Sequence, residues 1–225
     1  MSMNMERREF LTLPVKSLGG LLIYTMAGEP VRLKAAEGDI QIPLRFFTEA
    51  EAKTVRAACA RIFPTDASGP GATEANVIVY IDRQLAGPWG NDKHRYTKGP
   101  WVESMPEHGY QGKETPAEMY RAGLPKLGAD FASVPAAEQD KRLTAIEKTQ
   151  FFTVLRTHTI EGMFSDPLHG GNAGLIGWQL VGYPGPLMSY RDEIEKYNGL
   201  PYEMKPKSLE QIVGHKVAGW EDEKA

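Results

Sequence analysis

Cysteine is almost absent from this chain of 225 residues, in which Cys59 is the single example. One cysteine excludes an internal disulfide, an iron–sulfur cluster held by this chain's own thiolates, and a C-x-x-C-H haem site. The surrounding sequence, RAACARIF, is apolar and has a helical pattern, which favours a buried thiol. A disulfide between Cys59 and a cysteine of another chain is the alternative.

An excess of positive charge and a long apolar run are also missing. The chain has 26 Lys and Arg against 29 Asp and Glu, a formal net charge of −3. This balance argues against a nucleic acid bound through its phosphates. The most apolar stretch, near the N-terminus, is short and contains Lys16, so it does not predict a membrane span.

The motifs that usually bind phosphates or activate a nucleophile are absent as well. No G-x-G-x-x-G follows a strand, and neither a G-x-x-x-x-G-K-[ST] loop nor a G-x-S-x-G turn occurs. Carboxylates such as Asp66, Asp82 and Glu103 are numerous, but no pattern singles out an acid–base pair. By elimination, we expect this chain to carry no catalytic centre and no cofactor of its own.

The N-terminus does contain a recognisable pattern. Arg7 and Arg8 precede Phe10 and Leu11, and a moderately apolar, glycine-containing run follows. Paired arginines with x-Phe-Leu resemble a twin-arginine export signal, which carries folded proteins into the periplasm. The alternative is an ordinary amphipathic helix that begins with two solvated arginines. We favour the signal and assign it to residues 1–27.

Helix signals dominate the rest of the chain, which predicts a mainly α fold. Thr48 with Glu51, and Thr115 with Glu118, have the spacing of capping boxes at helix starts. Apolar residues at helical spacing predict further helices in ANVIVYIDRQLAG, PAAEQDKRLTAIEK and TQFFTVLRTHTIEGMF. We therefore expect a single irregular helical domain over residues 47–190, with long ordered loops.

Two flanking segments complete the predicted layout. Residues 28–46 are punctuated by two prolines and a glycine, which indicates an extended tether between the signal and the helical domain. Residues 191–225 are polar and contain one short helical piece, so we expect a C-terminal extension with little core of its own.

Two long segments look suited to contact another protein. Residues 87–112 contain Gly-Pro-Trp twice, and such long loops in a compact domain usually have a function. Their tryptophans, Trp89 and Trp101, belong to the residue types enriched in interface cores. Residues 164–186, FSDPLHGGNAGLIGWQLVGYPGP, predict a tight turn with positive φ angles at Gly170, Gly171 and Asn172. A short apolar piece with Trp178 follows it.

A metal site is the alternative interpretation of the same region. His158 and Glu161 lie three residues apart on a predicted helix, and Asp166 and His169 follow. Imidazole and carboxylate groups at such spacing can bind a transition metal. A di-metal bundle needs a second motif of this kind, which the sequence lacks, so hydrogen bonding of His158 in the core is the simpler interpretation.

Taken together, FPTDASGPGATEANVIVYIDRQLAG, EGMFSDPLHGGNAGLIGWQLVGYPGP and the N-terminal signal resemble the gluconate 2-dehydrogenase subunit 3 family. The resemblance covers about residues 46–190. It implies the small (gamma) subunit of a membrane-associated, FAD-dependent sugar or sugar-acid dehydrogenase in the periplasm. The implied partners are a large FAD-containing subunit, in some members with an iron–sulfur cluster, and a multihaem cytochrome c subunit.

The resemblance thus implies a non-catalytic subunit of an oxidoreductase complex at the inner membrane, which stabilises the flavin subunit and supplies its export signal. The alternatives from other classes are a stand-alone metal-binding protein or enzyme and a transient export chaperone. The residues that we expect at the partner interface are Cys59, Trp89, Trp101, Gly170, Gly171, Asn172 and Trp178.

Overall fold

The computed structural model of the chain describes residues 23–26, 29–32, 43–93, 99–101, 105–187, 191–198, 200 and 205–213. The candidate signal residues Arg7, Arg8, Phe10 and Leu11 lie outside these ranges. The chain divides into two units, Met1–Pro43 and Leu44–Ala225, and each is described by itself.

A β-hairpin is the described part of the first unit. Strand β1, Ile23–Met26, pairs antiparallel with strand β2, Glu29–Arg32, so that Thr25 lies opposite Pro30. Pro30 lacks an amide hydrogen, but both strands of a two-stranded sheet are edge strands, where proline is tolerated. The sequence analysis did not predict these strands, because four residues are too few for an alternating pattern to stand out.

The second unit is helical, which confirms the predicted mainly α class. Its α-helices are α1 Glu49–Ile62, α2 Val77–Ala86, α3 Pro116–Gly123, α4 Ala136–Ala145, α5 Gln150–Phe164, α6 Ile176–Val181 and α7 Arg191–Lys196. Short 3₁₀ turns lie between them at Pro106–His108, Leu124–Leu127, Pro167–His169 and Ala173–Leu175. In the described part of the chain, no helix has the length and hydropathy needed to cross a bilayer.

Both predicted capping boxes are present. The Thr48 hydroxyl accepts from the amide of Glu51 at 3.3 Å, and the Glu51 carboxylate accepts from the amide of Thr48 at 2.8 Å. Thr115 and Glu118 make the same pair of bonds at the start of α3. These bonds satisfy amides that a helix start leaves without partners inside the helix.

Helix α2 occupies the centre of the core and packs against α1, α3 and α5. Its sequence is rich in β-branched residues, yet seven of its ten residues are buried in a helix, as predicted. Gly162 of α5 permits a close approach here, because a Cβ atom at this position would lie 2.9 Å from Val77 Cγ1.

Asp82 of α2 fixes the chain that leads into α1. Its side chain is only 1% exposed, and its two oxygens accept hydrogen bonds from three consecutive amides, those of Arg45, Phe46 and Phe47, at 2.7–3.0 Å. A buried carboxylate is tolerated when charge-assisted hydrogen bonds of this kind replace its hydration. The end of the predicted tether is therefore part of the folded core.

Arg121 of α3 holds the same segment from the other side. Its guanidinium pairs with Glu51, donates to the carbonyl oxygen of Phe46 at 2.7 Å, and lies 4.1 Å from the centre of the Phe46 ring. Together, Asp82 and Arg121 connect α1, α2 and α3 through one short bent segment, residues 45–47.

We predict that Asp82→Asn lowers the free energy of unfolding by about 2–4 kcal/mol, because the amide offers one acceptor oxygen and its NH₂ group faces buried N–H donors. Urea unfolding of purified protein measures the change. Glu147→Gln, the same chemical change at an exposed position, should stay within about 0.5 kcal/mol. Equal midpoints for the two variants would contradict this role of Asp82.

Candidate functional site

The glycine-rich segment, residues 164–186, folds as a series of short turns around the end of α5. The predicted positive φ angles occur at Gly170, at +107°, and at Asn172, at +48°. For Gly171 the prediction is corrected, because its φ is not positive. A Cβ atom there would overlap the carbonyl oxygen of Gly162, so close backbone packing is what requires glycine.

Asn172 connects the end of α5 to the start of α6. Its side chain is fully buried, donates to the carbonyl oxygen of Ser165 at 2.9 Å and accepts from the amide of Gly177 at 2.8 Å. Its backbone amide donates to the carbonyl oxygen of Gly162 at 2.7 Å. The amide side chain therefore supplies partners for backbone groups that the two helix ends leave unpaired.

Trp178 points into the chain's own core. It is 4% exposed, and its indole N–H donates to the carbonyl oxygen of Phe164 at 2.6 Å. Its ring also meets the edge of Tyr183 at a centroid distance of 5.0 Å. Gly177 lets α6 lie directly on α5, since a Cβ atom there would overlap the carbonyl oxygen of Met163.

We predict that Gly177→Ala lowers the free energy of unfolding by at least about 3 kcal/mol, because the new methyl group meets backbone that cannot rotate away. The control is Gly182→Ala. Its φ of +67° is also unfavourable for alanine, but no atom lies within 4 Å of the new carbon, so we expect a loss of about 1–2 kcal/mol. Thermal or urea unfolding measures both. A larger loss for Gly182→Ala would contradict the packing argument.

An aromatic cluster surrounds His158 in the middle of α5. The Nδ1 atom of His158 lies 2.9 Å from the hydroxyl of Tyr120, and the two rings are stacked. Trp89 meets the edge of His158 at 4.6 Å between ring centres. The hydroxyl of Tyr80 donates to Glu161 at 3.0 Å. This cluster joins α2, α3 and α5 with the loop after α2.

The four candidate metal ligands do not converge. His158 and Glu161 are engaged by Tyr120 and Tyr80 respectively, as just described. Asp166 accepts from the amide of Leu168 at 3.0 Å and from that of Leu209 at 2.7 Å, and His169 is exposed. Within the described ranges, no three His, Cys, Asp or Glu side chains are grouped as a metal site requires.

Burial governs the acid–base behaviour of this cluster. Loss of hydration lowers the pKa of His158 to about 4, so the ring is neutral near pH 7. Burial raises the pKa of Tyr120 well above its usual value, and burial together with the neighbouring Glu161 raises the pKa of Tyr80. The neutral ring therefore serves packing and hydrogen bonding.

The depressed pKa of His158 predicts a pH-dependent stability. The unfolded chain binds a proton at this histidine with a pKa of about 6.5, whereas the native chain does so at about 4. Between these values the unfolded state binds more protons, so stability should fall by about 1–2 kcal/mol from about pH 7 to about pH 5.

Urea unfolding at the two pH values measures this loss. His158→Asn removes the titrating ring, so we expect the variant to lose most of the pH dependence in this interval. The exposed His169 is the matched control, and His169→Asn should retain the dependence of the original chain. An unchanged slope in His158→Asn would assign the pH dependence to other groups.

Cys59 lies in the core beside α5. Its sulfur is within 3.3 Å of the hydroxyl of Thr159, and burial raises the pKa of its thiol to about 12. A thiol with such a pKa is not a thiolate at neutral pH, and the side chain is only 2% exposed. This geometry favours the buried thiol over a disulfide with another chain.

The remaining predicted interface residues differ in exposure. Trp89 is 42% exposed, and Trp101 and Gly170 are half-buried. The predicted set therefore separates into an interior group, Cys59, Gly171, Asn172 and Trp178, and a group that reaches the surface, Trp89, Trp101 and Gly170.

Sequence reasoning missed three apolar side chains at the surface of the glycine-rich segment. Leu168 is 54% exposed, Val181 is 59% exposed, and Tyr183 is also exposed. Trp178 is the largest apolar side chain in this segment, so the sequence favours it over its smaller neighbours as an interface residue. With six residues, α6 is too short for helical periodicity to separate its exposed from its buried apolar positions.

Part of the C-terminal extension packs against this segment. We call residues 205–213 the C-terminal strap. The amide of Lys207 donates to the carbonyl oxygen of Pro184 at 3.2 Å, that of Leu209 binds Asp166, and Ser208 is buried. The strap ends in a helical turn at residues 209–213.

Comparison with known proteins identifies one family. Residues 49–185 match the family described as gluconate 2-dehydrogenase subunit 3. The match runs from the first residue of α1 through the glycine-rich segment, so it includes the helical core, the cluster around His158 and the Asn172 junction. No curated protein and no solved structure matches the chain.

Proposed function

The chain belongs to the gluconate 2-dehydrogenase subunit 3 family, and we propose that it is the non-catalytic small (gamma) subunit of an FAD-dependent dehydrogenase. In this proposal a large subunit holds FAD and carries out the oxidation of a sugar or sugar acid. A multihaem cytochrome c subunit accepts the electrons at the inner membrane. The complex lies in the periplasm.

The family match over residues 49–185 is the observation that carries this proposal. The sequence supports a non-catalytic role for this chain, since it has one cysteine and lacks the nucleotide-binding and nucleophile motifs. The polar groups of the aromatic cluster around His158 also hydrogen-bond to one another: His158 bonds Tyr120, and Glu161 bonds Tyr80.

We propose that binding stabilises the flavin subunit by mass action, because a partner that binds only the native state shifts the folding equilibrium toward it. Exposed apolar side chains suit this role, and we assign the contact to the loop that carries Trp89 and to the surface of the glycine-rich segment around Leu168. The interior residues Gly171, Asn172 and Trp178 support that surface from beneath.

We further propose that Arg7 and Arg8 export both subunits together. The twin-arginine route carries folded proteins, so one signal is sufficient for a preassembled pair. The chain would thus serve both as a stable subunit and as the carrier of the export signal.

Co-expression with the FAD-containing subunit, followed by cell fractionation and capture through a tag on this chain, tests both parts. We expect stoichiometric flavin subunit with the chain from the periplasmic fraction. With Arg7→Lys and Arg8→Lys combined, we expect the same pair from the cytoplasm, whereas Lys16→Arg should leave export unchanged. Absence of flavin subunit from every capture would refute the subunit role, and a flavin subunit that later leaves the mature chain would favour a transient chaperone.

Two tryptophan variants in the same capture locate the contact. Trp89→Ala removes one ring contact with His158 but leaves the hydrogen bonds of α5 and α6 in place, so we expect a folded chain, checked by its unfolding midpoint, that recovers several-fold less flavin subunit. Trp178→Ala removes a buried side chain and should destabilise the chain itself by about 3–5 kcal/mol. Full recovery with Trp89→Ala would place the interface elsewhere.

A further inference from the structure

A cleft of about 490 Å³ lies between α6 and the C-terminal strap. Among the residues that line it are Trp178 and Tyr183 on one side and Lys205 and Pro206 on the other. The family match ends at residue 185, so the cleft joins matched residues to a part of the chain beyond the match.

Two of the residues that line this cleft are glycines. Gly174 and Gly182 line it with φ angles of +64° and +67°, which disfavour most other residues. A Cβ atom at Gly182 would meet no atom within 4 Å, and one at Gly174 would lie 3.7 Å from its nearest neighbour. Neither position carries a side chain, and a Cβ atom at either one would not be crowded.

The backbone of the strap fixes the opposite wall. Lys207 bonds Pro184 and Leu209 bonds Asp166, as described above. The strap and the glycine-rich segment also approach so closely that a Cβ atom at Gly185 would overlap the carbonyl oxygen of Lys207. Lys205 precedes these contacts by two residues. Its position beside the cleft is thus set by main-chain contacts of its neighbours.

The charge of the cleft is one-sided. Among the described residues that line it, Lys205 is the only charged one, and no described carboxylate forms an ion pair with it. Tyr183 offers an exposed aromatic ring, and Val181, next to this wall, is exposed and apolar. The complementary group is an apolar side chain accompanied by a negative charge.

We propose that this cleft receives a segment of the FAD-containing large subunit that presents an apolar side chain beside a carboxylate. The apolar side chain packs against Tyr183 beside Gly174 and Gly182, and the carboxylate pairs with the ammonium group of Lys205. This inference rests on the proposed function and assigns the C-terminal strap to the partner interface.

Capture of the flavin subunit by the full chain tests the inference through a charge reversal. Lys205→Glu should weaken binding about tenfold, because it places like charges together at a desolvated contact. Lys207→Glu is the matched control, since its side chain is exposed two residues away and does not line the cleft. It should change binding less than about twofold. Added salt should weaken binding of the original chain more than that of Lys205→Glu.

Three outcomes are decisive. Selective loss with Lys205→Glu, together with an unchanged unfolding midpoint of the free chain, supports the cleft. Equal effects of Lys205→Glu and Lys207→Glu, or no effect of either, overturn it while leaving the proposed function intact, provided that the original chain captures the flavin subunit. If the original chain captures none, the proposed function itself fails.

Discussion

Backbone contact between the last turn of α5 and the start of α6 is the constraint on which the surface of this protein depends. The side chain of Asn172 holds the two helices together by bonding both Ser165 and Gly177. Gly171 and Gly177 allow the close approach, because a Cβ atom at either position would overlap the backbone of α5. Because main-chain atoms lie against each other at both glycines, the geometry there cannot relax around a larger residue. The loops on either side are therefore anchored at a junction of fixed geometry. A binding surface built from loops requires anchoring of this kind.

The apolar side chains around this junction separate into a buried and an exposed group. Residues that first resembled interface candidates, such as Trp178 and Cys59, complete the chain's own core. Smaller apolar side chains beside them, including Leu168 and Val181, reach solvent instead. The largest apolar side chains of this region therefore stabilise the fold of the chain itself, and smaller ones form its apolar surface.

Local signals made much of the helical architecture predictable. The capping boxes at Thr48 and Thr115 were found because a threonine and an acid three residues apart act within a single turn. The role of Asp82 could not be found, because its amide partners lie more than thirty positions earlier and offer no side-chain pattern. The orientation of Trp178 was equally undetermined, since periodicity tells apolar from polar faces and cannot tell a core from an interface.

The attachment of residues 45–47 to Asp82 also determines where a pulling force along the chain would act. Tension along the chain from the N-terminal direction reaches three charge-assisted hydrogen bonds before it reaches α1. Arg121 adds a fourth bond, to the carbonyl oxygen of Phe46, from α3. A load applied just before Arg45 would thus meet bonds to two helices of the core before it reached the first turn of α1.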